Sequence, residues 1–190
     1  LNFHAKLDHV ENLDKLNILI LGGSQAAKIF AEKLPEIFQE CNKSKISLKI
    51  YQQCLPEQNK FLSSFYSNSN IDFEIFNFSN NLLDYFSKIN LAITRSGSSM
   101  LAELLNAKIP FISVPLPTSI DNHQLKNAIY YEKKGYSYLV EEQDLNTKLF
   151  KLIKKISENK SLLNEIKRKQ RQHSDKSVYQ NINEQIKNLI

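Results

Sequence analysis

Short runs of apolar, often β-branched residues recur along the chain, each followed by a turn signal and then by apolar positions at helical spacing. The runs are Ile18–Leu21, Ile46–Tyr51, Ile71–Phe76, Leu91–Thr94, Phe111–Val114 and Tyr138–Val140. Between them the period predicts helices over 25–40, 56–67, 80–87, 99–107 and 122–134, long enough to cross between parallel strands. The runs are continuous rather than alternating, so the sheet they form is covered on both faces. After Glu142 helical stripes take over: Leu149, Ile153 and Ile156, then Leu162, Leu163 and Ile166, then Val178, Ile182, Ile186 and Leu189. Such stripes are packing surfaces. The expected fold is α/β, a Rossmann-like parallel sheet with helices on both faces and a helical C-terminal tail, spanning residues 17–190. Residues 1–16 are polar and without period, as a linker or leader would be, and a first residue Leu1 rather than Met points to a piece of something longer.

Composition changes this picture little. A chain of 190 residues with 42% apolar side chains can bury the core of one domain. Lys and Arg number 25 against 20 Asp and Glu, but nine of the basic residues lie between Lys148 and Arg171, where only Glu158 and Glu165 oppose them. The excess therefore sits on terminal helices, as a solvated face, and the remainder of the chain is slightly acidic. A nucleic-acid partner is not expected, because such binders spread positive charge over a recognition surface. No apolar run is long enough to span a bilayer, and the N-terminus lacks a signal peptide's charged start and apolar centre, so a cytosolic location is expected. Cys41 and Cys54 follow no metal or redox spacing and read as plain thiols.

In an open parallel sheet, ligands sit beyond the carboxyl ends of the strands, and there the sequence is informative. The first strand runs into Gly22-Gly23-Ser24-Gln25 and a helix. Glycines let the backbone approach a ligand, and the helix N-terminus behind them offers N–H groups to a phosphate. A dinucleotide fold would show G-x-G-x-x-G here and a carboxylate closing the second strand; neither is present, and no Gly-Lys-Ser/Thr follows. The fourth strand ends Arg95-Ser96-Gly97-Ser98-Ser99-Met100, a second turn into a helix and a second anion site. Ser99 and Glu103 share the face of that helix opposite Leu101, Leu104 and Leu105. Glu103 is thereby placed to accept the hydroxyls of a ribose, or else is an ordinary solvated residue. Arg95 could reach a phosphate or form a structural ion pair. The fifth strand leaves through Val114-Pro115-Leu116-Pro117 toward Asp121, Asn122, His123, Gln124 and Asn127, groups suited to sugar hydroxyls, with Asp121 also suited to cap the helix. No Asp-x-Asp appears, so no metal-held diphosphate is expected.

Together these three motifs, in order at matching strand ends, resemble the peptidoglycan N-acetylglucosaminyltransferases of glycosyltransferase family 28, enzymes of the GT-B fold. The resemblance covers about residues 17–190, the family's C-terminal, donor-binding half. It implies that Phe78 and Ser79 lie beside the uracil, that Glu103 holds the ribose hydroxyls, and that Ser24, Gln25, Gly97, Ser98, Ser99 and Met100 line the diphosphate and sugar. Gln124, with His123 and Asn127, would read the hydroxyls of N-acetylglucosamine; Gly22, Gly23 and Arg95 complete the candidate set. The implied reaction is inverting transfer of N-acetylglucosamine from UDP-N-acetylglucosamine to undecaprenyl-pyrophosphoryl-muramoyl-pentapeptide, on the inner face of the cytoplasmic membrane, with no cofactor or metal.

The family's acceptor-binding half carries a glycine-rich segment and is thought to supply the base; nothing like it occurs here, so no catalytic residue is expected in this chain. Three alternatives stay open: a donor-binding subunit of a two-component UDP-N-acetylglucosamine transferase, a related enzyme that uses UDP-glucose or UDP-galactose, and a non-catalytic nucleotide-sugar module. Three positions depart from the family's pattern: Ala26, Cys54 and Lys108 each stand where it commonly has glycine.

Overall fold

A computed structural model describes residues 15–77 and 82–173, with the backbone alone at residues 24–27. The expected runs all form strands: β1 (Leu16–Leu21), β2 (Leu48–Gln53), β3 (Asp72–Phe76), β4 (Leu91–Thr94), β5 (Phe111–Ser113) and β6 (Tyr138–Leu139). They alternate with α1 (Gly23–Lys43), α2 (Asn59–Asn68), α3 (Leu83–Phe86), α4 (Ser98–Asn106) and α5 (His123–Lys133). After β6, a 3-10 turn at Glu142–Asp144 and a π turn at Leu145–Leu149 lead into α6 (Phe150–Glu158) and α7 (Ser161–Gln172). The stripe from Val178 to Leu189 and the leader before Lys15 lie outside the described residues.

All neighbouring strands pair in parallel, in the order β3-β2-β1-β4-β5-β6. This is the doubly wound Rossmann order, in which the chain reverses its direction of travel across the sheet between β1 and β4. Both faces are covered, as the apolar runs require. From β1, Ile18 and Ile20 pack under Phe30, Leu34 and Phe38 of α1, with Leu62 and Tyr66 of α2 and Ile153 and Ile156 of α6 in the same cluster. Leu19 and Leu21 face the other way, toward Phe86, Leu101 and Leu104. Each such side chain contributes roughly 1.5–3 kcal/mol when fully buried.

Two strands start later than their apolar runs. Ile46 and Ile71 are buried, yet each belongs to a helix C-terminus. The N–H of Lys45 donates to Asn42 O and that of Ile46 to Cys41 O, closing α1; Asn70 and Ile71 close α2 in the same way on Ser67 O and Tyr66 O. In such a closure the residue after the left-handed position is apolar and packs back on the helix, which mimics a strand start in the sequence. Burial keeps both thiols protonated: Cys41 is pushed up to about 12, and Cys54 is raised by burial and by the nearby Glu57 carboxylate.

Candidate functional site

Because Leu21 pairs with Thr94 and Thr94 with Ser113, the chain leaves β1, β4 and β5 side by side, at Gly22, Arg95 and Val114. Neighbouring strands lie about 4.8 Å apart, so the two glycine turns are adjacent at the point where the winding reverses. Gly23 takes φ +67, a conformation other side chains adopt at a cost, and a Cβ on either Gly23 or Gly97 would meet nothing within 4 Å. Space therefore lies open next to both turns.

Among the described residues no side chain caps the N-terminus of α1 or α4, and neither helix has an acidic residue in its first turn. The first main-chain bond of α4 runs from Leu101 N to Gly97 O, which leaves the amides of Ser98, Ser99 and Met100 ahead of the helical ladder. Two uncompensated positive helix ends at one crevice can hold a diphosphate. Ser98 and Ser99 are exposed and Met100 packs partly against the core. Glu103 is exposed one turn along α4, on the face away from the buried Leu101, Leu104 and Leu105, as its spacing predicts. Ser24 and Gln25 lie in the first turn of α1, their side chains outside the description, and Phe78 and Ser79 lie outside the described residues.

Several polar candidates prove to hold the loops together. Arg95 does not face the crevice as a free phosphate ligand. Its guanidinium is buried, bonded to Val114 O at 3.3 Å and Pro115 O at 3.1 Å, paired with Glu142 and set over the Phe30 ring. Gln124 turns its amide oxygen onto two backbone groups, accepting from Ser96 N at 3.1 Å and Leu116 N at 3.0 Å, and its amide nitrogen has no hydrogen-bond partner among the described residues. Asn127 donates to Ser96 O at 3.0 Å. His123 is exposed, with Nδ1 2.8 Å from Ile120 O. Asp121 is not the cap of α5: Asn122 occupies that position without a capping bond from its side chain, and both residues adopt positive φ, 50° and 53°. The hydroxyl that approaches the α5 terminus is that of Ser119, 3.4 Å from Gln124 N.

Some participants carry no signal in the sequence. Glu142, in the turn after β6, is one; Asn59 and Asn77, bonded to each other beside Cys54 at the ends of β2 and β3, are others. Cys54 holds a buried thiol that donates to Asn59 Oδ1 at 3.0 Å. Lys108 takes φ 58 at the C-terminus of α4, where Lys108 N donates to Leu105 O and Ile109 N to Leu104 O. That departure lies on the opposite edge of the sheet. Among the described residues no three His, Cys, Asp or Glu side chains gather as a metal would need, and no helix is long and apolar enough to cross a membrane. A hollow of about 170 Å³ between Pro115, Leu116, Pro117, Asn122, Leu125 and Glu142 borders the crevice, whereas a larger one of about 380 Å³ lies on the far edge near Lys45 and Lys154, away from both turns.

Residues 17–182 match the profile of the Glycosyltransferase family 28 C-terminal domain. The chain is 38% identical, over 100% of its own length and 53% of the relative's, to the UDP-N-acetylglucosamine–N-acetylmuramyl-(pentapeptide) pyrophosphoryl-undecaprenol N-acetylglucosamine transferase of Pelagibacter ubique. It is 36% identical to the protein of the same name in Rickettsia bellii, over 82% of this chain and 46% of that one. Among solved structures, the crystal structure of Acinetobacter baumannii MurG superimposes with a TM-score of 0.74 at 28% identity, covering 84% of this chain and 46% of that one. The chain thus spans about half the length of the curated relatives it matches, and its sheet is the Rossmann-like sheet of one half of a GT-B enzyme. It belongs to glycosyltransferase family 28, whose C-terminal domain it contains.

Proposed function

We propose that this chain binds UDP-N-acetylglucosamine and serves as the donor half of an inverting transferase that moves N-acetylglucosamine onto undecaprenyl-pyrophosphoryl-muramoyl-pentapeptide. The observation that carries the reading is the pair of uncapped, acid-free helix N-termini, α1 and α4, side by side at the winding reversal. The names of the relatives give the donor and acceptor. In this reading the amides of the Gly22-Gly23 and Gly97–Met100 turns bond the diphosphate, and the helix dipoles offset charge that grows on departing UDP as the glycosidic bond breaks. A metal is assigned no role. Glu103 accepts from the ribose hydroxyls, Phe78 and Ser79 flank the uracil, and the Gln124 amide nitrogen is directed to a sugar hydroxyl. The acceptor hydroxyl, with the base that takes its proton, comes from a domain beyond these residues, working at the inner face of the cytoplasmic membrane. This chain by itself then binds donor and transfers little.

Calorimetric titration with UDP-N-acetylglucosamine, UDP-glucose and NADH tests the reading. Binding of the first, weaker binding of the second and no heat from the third are expected. Absence of binding to UDP-N-acetylglucosamine, or equal response to NADH, would overturn it.

A further inference from the structure

We infer that Glu142, in the turn after β6, is a positioning residue of the donor site and acts through Arg95; the inference rests on the donor-binding reading above. The Arg95 side chain is only 9% exposed, and among the described residues its one ionic partner is the Glu142 carboxylate, at 2.5 Å. Its Nη1 holds two consecutive carbonyls where the chain leaves β5, those of Val114 and Pro115. Its Cζ lies over the Phe30 ring of α1, the helix that follows the first glycine turn, 5.0 Å from the ring centroid. Its Nε is buried without a partner among the described residues, so desolvation of the guanidinium is offset only through its two Nη atoms and the ring beneath it. One side chain thereby ties together the exits of β4 and β5, the body of α1 and the segment after β6. The next residue, Ser96, is held from the other side by Gln124 and Asn127.

These contacts fix the approach to the open amides of Ser98, Ser99 and Met100. A guanidinium removed from water is stable there only while its counter-charge is present. With the carboxylate gone, the guanidinium moves toward water and releases the Val114 and Pro115 carbonyls, and the β4–α4 turn shifts against the Gly22-Gly23 turn. Preorganised amides lose their advantage when their relative placement loosens. Glu142 itself touches no ligand in this arrangement, and its contribution reaches the donor only through the turn.

The test compares Glu142→Ala, Glu142→Gln and Arg95→Lys with the unaltered chain at 10 °C, each shown to be folded by circular dichroism. It measures UDP-N-acetylglucosamine affinity by calorimetry and amide hydrogen exchange over Arg95–Met100. Glu142→Ala and Arg95→Lys are expected to weaken binding by about tenfold to a hundredfold, the scale of a misplacement near 1 Å, and to speed exchange at Ser96. Glu142→Gln keeps an acceptor for Arg95 but removes its counter-charge, and should weaken binding nearly as much as Glu142→Ala; wild-type affinity in that variant would overturn the inference. Folded Glu142→Ala with unchanged affinity and exchange would overturn the inference and leave the pair a purely structural contact. If the unaltered chain binds no donor, the proposed function fails on its own; the exchange measurement then decides whether Glu142 sets the turn, and unchanged exchange overturns that as well.

Discussion

The two edges of the sheet treat their helix ends in opposite ways. On the amino edge, the C-termini of α1, α2, α4 and α5 are each closed by paired backbone bonds through a left-handed residue, namely Lys45, Asn70, Lys108 and Gly135. On the carboxyl edge, among the described residues, α1 and α4 begin with no side-chain cap and no acidic residue. Backbone groups left open at a helix end are met by water or by a ligand, and in the proposed function the donor diphosphate takes that place at the open edge. The contrast also explains where the rare glycines fall. Only four are present: two line the open crevice, at Gly23 and Gly97, Gly22 precedes them, and only Gly135 serves a helix C-terminus. At the closed edge the chain tolerates lysine in left-handed conformations, because nothing but local energy depends on it.

The sharpest way to break this comparison is a side chain in the open crevice. Gly97 has ordinary φ and ψ, −66° and 135°, with free space beside it. Gly97→Val should cost the fold about 1 kcal/mol or less as a changed cap and weaken UDP-N-acetylglucosamine binding about a hundredfold, or about 3 kcal/mol. Retained affinity in a titration would mean that the space is not a ligand's. Next in size, Glu103→Ala should lose about 1.5–3 kcal/mol of donor affinity, the range for hydrogen bonds to a charged group. Its unfolding midpoint should not move, since the side chain is exposed. Equal titration curves for the two proteins would remove Glu103 from the site.

At the closed edge the sign reverses. Lys108→Gly and Lys45→Gly relieve positive φ and should each stabilise the protein by about 1 kcal/mol, raising the melting temperature by roughly 2–4 °C with donor affinity unchanged. A lower midpoint in either variant would show that the lysine's own contacts outweigh its backbone strain. The smallest effect is expected at Asp121. Because it caps nothing and sits at φ 50, Asp121→Ala should cost about 0.5–1 kcal/mol through the backbone alone, and Asp121→Gly should cost nothing measurable. Denaturant unfolding in which both variants lose equally would restore a role for the carboxylate.

The apolar runs and turn signals determined the strand count, the parallel sheet and the two covered faces, because burial on both sides demands continuous apolar strands whatever their neighbours are. They also marked both glycine turns, since a turn that opens a helix at a strand end is a local matter of backbone freedom. Strand starts were less legible: Ile46 and Ile71 belong to helix closures that only the folded backbone distinguishes from strands. The roles of polar side chains were settled by tertiary structure. Arg95 is drawn inward by a carboxylate 47 positions away, Gln124 spends its oxygen on two separate loops, and Gln170 of α7 donates to Ile109 O and Tyr136 O near the starts of β5 and β6. Apolar periodicity reports what a residue avoids, which is water, and that is visible one chain segment at a time. A hydrogen bond depends on which partner arrives, and the partner is decided only when distant segments meet.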